Sequence, residues 1–328
     1  MTPKERLLAV LNREKVDRSP VAVPTQNATV DVMRIAGVYW PQALREAEPM
    51  ARLAMACQEQ YGFESIRLPF DINVEAETMG CATRYGEEGD PPISSPKDRE
   101  NLGEIRFPNP ATSGRMEQVI KAVAIAARRR NPDIPIIAAL GTPFEVLSTI
   151  YNFDHLYSDL KSDPQGLEEL LEKILGLLTA YAAELEGAGA DVLMVVDGTS
   201  QTLMPDQFRQ FSAPYTTRLI GSFHAPAILH ICGNPTRLIA DMSGTGARGL
   251  SLDSSVLIEK ARENSGGKVA LVGNLGVRAL QEGTPADVAD MTRVAIKEGW
   301  DIVAPGCGII PATPLQNIIS YVDTVKEL

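Results

Sequence analysis

The chain has 328 residues, of which 44% are hydrophobic and 5% aromatic, so its core must consist mainly of aliphatic side chains and alanine. A formal net charge of −11 argues against a nucleic-acid-binding or anionic-membrane surface, since either would need clustered Lys and Arg. The charged, amphipathic opening MTPKERLLAVLNREKVDR is not a signal peptide, and no apolar run approaches the roughly 20 residues of a membrane-spanning helix. We therefore expect a soluble cytoplasmic protein with reduced cysteines.

Short apolar runs rich in β-formers recur along the chain, with helical patterns between them. Eight of these runs predict strands: Pro20–Thr25, Ser65–Phe70, Pro135–Leu140, Asp191–Val196, Ala227–Cys232, Gly249–Asp253, Val269–Asn274 and Asp301–Pro305. Four of the helical patterns cover Gly166–Glu186, Pro205–Leu219, Pro285–Glu298 and Pro314–Lys326, and the last three start with a proline.

Eight strands that alternate with helices predict an α/β fold, a single (β/α)₈ TIM barrel spanning residues 1–328 as one domain. A helical extension precedes the first strand. The polar, Gly- and Pro-rich stretch Gly80–Phe107 is interpreted as an excursion after the second strand, with room for a short hairpin. A doubly wound open sheet is the rival fold, but no Gly-rich dinucleotide or phosphate loop follows the first strand.

The segment LHICGN holds the pattern that points most directly to chemistry. His230 and Cys232 are two residues apart in a predicted strand, so their side chains point the same way. Cys307 follows the eighth strand, and the ends of the fifth and eighth strands open on the same rim of a barrel. One imidazole and two thiolates suit Zn²⁺, and three protein ligands would leave one position for a substrate.

The alternative is that His230 and Cys232 are simply two packed side chains, since most His-x-Cys pairs bind no metal. The remaining cysteines, Cys57 and Cys81, are interpreted as small core or half-buried residues. His155 and His224 lie in helical or loop contexts, where surface or packing roles are more common.

Other polar residues follow or lie within the predicted strands, as expected of a working barrel rim. Candidates for catalysis are Asp197, Asp253 and Asn274; candidates for substrate binding are Gln26, Arg67, Asp71 and Asn234. Asp253 could be a fourth, oxygen ligand to zinc or only a helix N-cap. Arg67 could bind an anionic substrate end or pair with Asp71 or Glu75, the ion pair being slightly favoured. Asp197 could instead be a turn residue before Gly198.

These residues also resemble a known family, the methylcobamide:coenzyme M methyltransferases of the uroporphyrinogen decarboxylase superfamily. The resemblance runs nearly end to end, through TPKERLLAVLNREKVDRSPV, PTQNATVDVM, GFESIRLPFDINVEAETMGC, LMPDQFRQF, LHICGN, LVGN and APGCGIIPATPLQNI. It implies one catalytic zinc per chain on His230, Cys232 and Cys307. It also implies methyl transfer from a methylated corrinoid, carried by a partner protein, to a zinc-bound thiol, usually coenzyme M.

The chain departs from that family at two places. Thr25-Gln26-Asn27-Ala28 stands where relatives have TQTG, and Asp253-Ser254 stands where they have two glutamates. Both departures leave the zinc ligands intact and put the methyl acceptor in question. Open alternatives are another acceptor, a primary methyl donor that methylates the corrinoid, a uroporphyrinogen-type decarboxylase, and a non-enzymatic corrinoid-binding protein.

Overall fold

The computed structural model describes residues 1–87 and 89–327 and places a curved parallel sheet at the centre of the molecule. Its strands, with those of a separate hairpin, are β1 (Ile66–Leu68), β2 (Ala82–Arg84), β3 (Ile93–Ser95), β4 (Ile136–Gly141), β5 (Val192–Asp197), β6 (Ala227–Ile231), β7 (Gly249–Ser251), β8 (Ala270–Leu275) and β9 (Ile302–Pro305). The sheet runs β1-β4-β5-β6-β7-β8-β9, and every neighbouring pair is parallel. All strands therefore end at one rim, and the TIM-barrel-like α/β fold is confirmed.

The first of the eight predicted strands, Pro20–Thr25, is wrong as a strand, because the structure has no ladder there. Pro20 and Pro24 have no backbone N–H, so the segment cannot donate regularly to a neighbour. It is buried nonetheless, and it runs between the two edges of the sheet. Beside β1, Val21 accepts a hydrogen bond from the Glu64 amide (2.9 Å). Beside β9, the Ser19 hydroxyl accepts one from the Val303 amide (3.1 Å).

Helices cover the outside of the sheet. They are α1 (Pro3–Leu11), α2 (Val30–Ala36), α3 (Gln42–Arg45), α4 (Ala47–Tyr61), α5 (Val74–Thr78), α6 (Gly114–Arg129), α7 (Pro143–Ile150), α8 (Phe153–Ser162), α9 (Pro164–Gly187), α10 (Pro205–Phe211), α11 (Ala213–Gly221), α12 (Ile239–Ser243), α13 (Ile258–Ser265), α14 (Val277–Glu282), α15 (Pro285–Glu298) and α16 (Leu315–Glu327). Short 3₁₀ turns cover Arg99–Glu104, Pro110–Thr112, Ser200–Thr202 and Thr236–Leu238. None of the helices in the described ranges is both long and apolar enough to cross a membrane.

Three of the four predicted helices are confirmed to within two residues, whereas Pro205–Leu219 is two helices. The chain breaks at Ser212, two residues before Pro214, whose missing N–H interrupts the helical hydrogen bonds. The break turns the Ser212 hydroxyl inward, where it donates to Asp197 (3.2 Å).

The predicted helical extension before Pro20–Thr25 is confirmed by α1, which has a structural role at the bottom of the barrel. Thr2 and Glu5 form a capping box that starts α1. Leu7, Val10 and Leu11 then pack against inward-facing residues of the sheet, including Val192, Met194 and Ile228. Apolar side chains of α1 therefore fill that end of the barrel, and the cavity described below lies at the opposite rim, where the strands end.

The predicted excursion after the second strand contains the hairpin β2–β3, apart from Glu88, which lies outside the described residues. The hairpin's Ile93 and Ser94 line the cavity at the open rim. The excursion therefore contributes a wall to the cavity described below.

A buried ion cluster fastens the segment that closes the barrel. Glu64, 6% exposed, accepts hydrogen bonds from Arg6 Nη1 (2.8 Å), Arg18 Nη2 (2.6 Å) and the Val21 amide (3.0 Å). Burial by itself would raise the pKa of Glu64, but the hydrogen bonds from Arg18 and Val21 outweigh it, so its pKa is lowered.

We predict that Glu64→Gln destabilises the protein by about 2–4 kcal/mol, because it leaves two arginines without their buried partner. Urea unfolding measures the loss, with Glu117→Gln, which removes an exposed pair with Lys121, as the control. The difference in unfolding free energy between the variant and wild type should have its full value above about pH 4.3, where a Glu in the unfolded chain is ionised. It should shrink as the pH falls through the lower pKa that Glu64 has in the folded protein. Equal stability of the two variants would contradict this role.

Candidate metal centre and cavity

His230 and Cys232 stand together where β6 ends. His230 lies in β6, paired with Val196 of β5 on one side and Ser251 of β7 on the other, and is 2% exposed. Its Nδ1 lies 3.1 Å from the Ser251 carbonyl oxygen, which can only accept, so Nδ1 carries the proton. The Nε2 lone pair is then free, and it lies 3.2 Å from Cys232 Sγ.

Cys307 reaches the same place from the loop after β9. Gly306 allows this, because a Cβ there would lie 2.7 Å from the Ser254 backbone nitrogen. The segment that follows Pro24 fixes the loop from the other side: Thr25 Oγ1 donates to the Cys307 carbonyl (2.9 Å), and the Ile309 amide donates to Gln26 O (2.7 Å). Cys307 Sγ lies 3.7 Å from Cys232 Sγ.

The three side chains fit one tetrahedral metal ion. Their potential ligand atoms all lie within 4.8 Å of one another. Zinc–sulfur and zinc–nitrogen bonds of ordinary length would put tetrahedral ligands about 3.5–3.8 Å apart, close to the 3.2 and 3.7 Å found here. Within the described ranges, this is the sole cluster of three or more His, Cys, Asp or Glu with such spacing.

The two thiols are electrostatically unlike. A hydrogen bond from Cys232 holds the pKa of Cys307 well below its usual value, with a further contribution from His230. The same interaction, together with burial, raises the pKa of Cys232. The shared hydrogen bond therefore favours the thiolate form of Cys307, which is the form of cysteine that binds a cation.

A cavity of about 780 Å³ opens directly onto these side chains. Loops after several strands and the hairpin form its walls, and most of its lining is apolar. The lining is Thr25, Gln26, Trp40, Arg67, Phe70, Asp71, Ile72, Asn73, Pro91, Pro92, Ile93, Ser94, Pro96, Ser148, Thr149, Val196, Gly198, His230, Cys232, Cys307, Gly308, Ile309, Ile310 and Pro311.

The three predicted catalytic residues do not line this cavity. Asp197 is fully buried and accepts hydrogen bonds from Thr142 (2.9 Å) and Ser200 (2.6 Å), so it organises the loop after β5. Asp253 accepts from the Ser255 amide (2.9 Å) within a turn, and it is not a helix N-cap, since α13 is capped at Leu257. Asn274 donates to the Val256 carbonyl (3.0 Å) and joins β8 to the turn after β7.

Among the predicted substrate-binding residues, Gln26, Arg67 and Asp71 line the cavity and Asn234 does not. Asn234 accepts from the Thr236 amide (3.1 Å) in an exposed turn. The prediction that Arg67 forms an ion pair with Asp71 or Glu75, which was slightly favoured, is wrong. Asp71 instead pairs with Arg115.

Sequence analysis missed several residues of the site. Trp40, between two short helices, lines the cavity although no motif marks it. Glu145 is also missed: it accepts from the amides of Gly198 (2.8 Å) and Thr199 (3.0 Å), and so fixes a wall. Burial raises the pKa of Glu145 to about 8. The one available signal was an acidic residue inside the apolar stretch PFEVL.

Comparison with known proteins gives a consistent result. The uroporphyrinogen decarboxylase family model matches residues 2–328. A methylcobamide:CoM methyltransferase of Methanosarcina acetivorans is 34% identical, over 99% of this chain and 98% of that one. A methylated-thiol–coenzyme M methyltransferase of Methanosarcina mazei is 32% identical, over 100% and 90%.

A solved methyltransferase structure from Methanosarcina mazei shares the whole fold. It has a TM-score of 0.94 and 33% identity, and the match covers 100% of this chain and 99% of that one. The chain therefore belongs to the uroporphyrinogen decarboxylase family and, within it, to the methylcobamide:coenzyme M methyltransferases, which makes it a methyltransferase enzyme.

Proposed function

We propose that the protein moves a methyl group from a methylated corrinoid, carried by a partner protein, to a small thiol activated by zinc, with coenzyme M as the leading acceptor. The observation that carries this proposal is the meeting of His230, Cys232 and Cys307 at the cavity. The names of the relatives supply the methyl donor and the acceptor.

His230, Cys232 and Cys307 would hold the zinc and leave one side of it facing the cavity. The Ser251 carbonyl fixes the tautomer of His230 in which Nε2 can bind. A bound zinc ion lowers the pKa of a thiol that coordinates to it, so that the acceptor can react as its thiolate at neutral pH. The Thr25 hydroxyl and Gln26 carbonyl keep the Cys307 loop in place during this reaction.

The reaction itself is a displacement at carbon. The acceptor sulfur forms a bond to the methyl carbon, the carbon–cobalt bond breaks, and its electron pair stays on cobalt, which goes from Co(III) to Co(I). The thiol proton passes to solvent. This chain's part is to hold the acceptor in a largely apolar cavity, whose open rim faces the incoming corrinoid.

The opposite direction is the second candidate, because one relative is named for methylated thiols. The same site would then hold a methyl thioether and pass its methyl group to Co(I). A uroporphyrinogen-type decarboxylase is poorly supported. Holding several carboxylates needs several cations, and Arg67 is the single Arg or Lys among the described lining residues.

We predict that the purified protein holds about one zinc per chain, as a three-ligand catalytic site requires, and that Cys307→Ser loses most of it. Cys81→Ser is the matched control, since Cys81 is buried outside the cavity and should keep zinc at the wild-type level. Elemental analysis of dialysed protein measures both. Equal zinc contents in the two variants would rule out Cys307 as a ligand.

We also predict that the zinc-loaded enzyme demethylates methylcobalamin when 2-mercaptoethanesulfonate is added under anaerobic conditions. Absorbance follows the change from methylcobalamin to cob(I)alamin, and mass spectrometry identifies the methyl thioether. Turnover only from thioether and cob(I)alamin would select the opposite direction. No turnover in either direction, with free or protein-bound corrinoid, would contradict the proposal.

A further inference from the structure

Arg67 is a buried cation without a carboxylate partner. It lies in β1 and is 2% exposed. Its Nε donates to the Pro24 carbonyl (3.0 Å), and its Nη1 donates to the Pro69 carbonyl. Its Nη2 has no hydrogen-bond acceptor among the described residues, and no carboxylate in those ranges lies within 4.0 Å of the guanidinium. A buried charge without a carboxylate partner is costly, which makes Arg67 a candidate to bind an anion.

The nearby acids are already engaged. Asp71 is bound by Arg115, whose Nη1 lies 3.1 Å from Oδ1 and whose Nη2 contacts Oδ2. The pair is neutral as a unit. Glu75 accepts from the Gly141 amide (3.0 Å), and burial raises its pKa to about 7, which weakens its charge at neutral pH. Asp71 still acts on the charge of Arg67 from beyond 4.0 Å, but no carboxylate among the described residues is in direct contact with the guanidinium.

Arg67 also faces the cavity that holds the metal ligands. Its ladder partner Ile137 belongs to the cluster inside the barrel, and Arg67 itself lines the cavity. Burial lowers its pKa to about 10, so it stays protonated at neutral pH. Trp40 lines the same cavity, and its indole N–H has no acceptor among the described residues.

One short segment connects Arg67 with the metal ligands. The Pro24 carbonyl accepts from Arg67, and the next residue, Thr25, donates its hydroxyl to the Cys307 carbonyl. Because this segment lies between β1 and β9, the Arg67 and Cys307 backbones are about two strand spacings apart, on the order of 10 Å. Both side chains line the same cavity, so a short molecule could reach from the guanidinium to the sulfur atoms.

We propose that Arg67 binds the anionic end of the methyl acceptor and thereby selects short thiols that carry a sulfonate or carboxylate over neutral thiols. This inference rests on the proposed function for the reaction, but the binding of the anion does not depend on turnover. Arg67 is thus a specificity-determining residue. The apolar walls strengthen its attraction for an anion, because little water screens the charge there.

The experiment compares wild type with Arg67→Met, which keeps much of the volume and removes the charge. The readout is the ratio of kcat/KM for 2-mercaptoethanesulfonate over that for 2-mercaptoethanol, with 3-mercaptopropionate as the carboxylate arm. Loss of a charge-assisted contact should lower the ratio about 10–100-fold, mainly through KM for the charged thiols. Arg67→Lys should restore part of the preference.

The matched control is Arg278→Met, which removes an exposed arginine paired with Glu282 and should leave the ratio at the wild-type value. A purely structural role for Arg67 would lower kcat/KM equally for charged and neutral thiols, and an unchanged ratio would overturn the proposal.

A binding measurement with ethanesulfonate, which has no thiol and cannot be methylated, tests the anion site independently of the proposed reaction. Calorimetry should detect its binding to wild type and about 10-fold or weaker binding to Arg67→Met, even if no thiol is methylated. Equal binding to both would refute the anion site.

Discussion

The 3.7 Å approach of Cys232 Sγ to Cys307 Sγ is the contact on which the rest of the site depends. The two cysteines are 75 residues apart in sequence, and they meet because all strands of a parallel barrel end at one rim. Two local features also allow the two sulfur atoms to come this close. Gly306 lets the loop after β9 pack closely on the backbone of Ser254, and the Thr25 hydroxyl donates a hydrogen bond to the Cys307 carbonyl of that loop.

The segment that closes the barrel supports this contact and is irregular. A regular strand between β1 and β9 would use its backbone groups in a ladder. With Pro20 and Pro24 in the segment, carbonyls and side chains make individual contacts instead, to Glu64, Arg67, Cys307 and Val303. One segment therefore closes the barrel, positions a candidate metal ligand and binds the arginine that faces the cavity.

Most of the fold could be predicted from local pattern. Seven strands, the helix Pro285–Glu298 and the hairpin excursion follow from apolar periodicity, proline positions and turn composition. The exceptions have physical causes. The run Pro20–Thr25 has the apolar content of a strand but lacks donors, and Pro214 divides a continuous amphipathic pattern into two helices.

The site was less accessible to sequence reasoning. Two side chains on one strand face share a direction by geometry, so the His230–Cys232 pairing could be anticipated. Asp197 and Arg67 could not be placed, because their partners come from distant segments. Asp197 accepts hydrogen bonds from Thr142, Ser200 and Ser212. Asp71, an expected partner of Arg67, forms its ion pair with Arg115 on α6 instead. Competition among partners that are remote in sequence decides such roles, and no local pattern records it.

The central claim is that one imidazole and two thiolates hold zinc and leave a position for a thiol. X-ray absorption at the zinc edge tests it most directly. The account predicts a first shell that includes one nitrogen at about 2.0–2.1 Å and two sulfurs at about 2.3 Å, with a third sulfur when 2-mercaptoethanesulfonate is added. A shell of nitrogen and oxygen alone, or one that does not change on addition of the thiol, would contradict it.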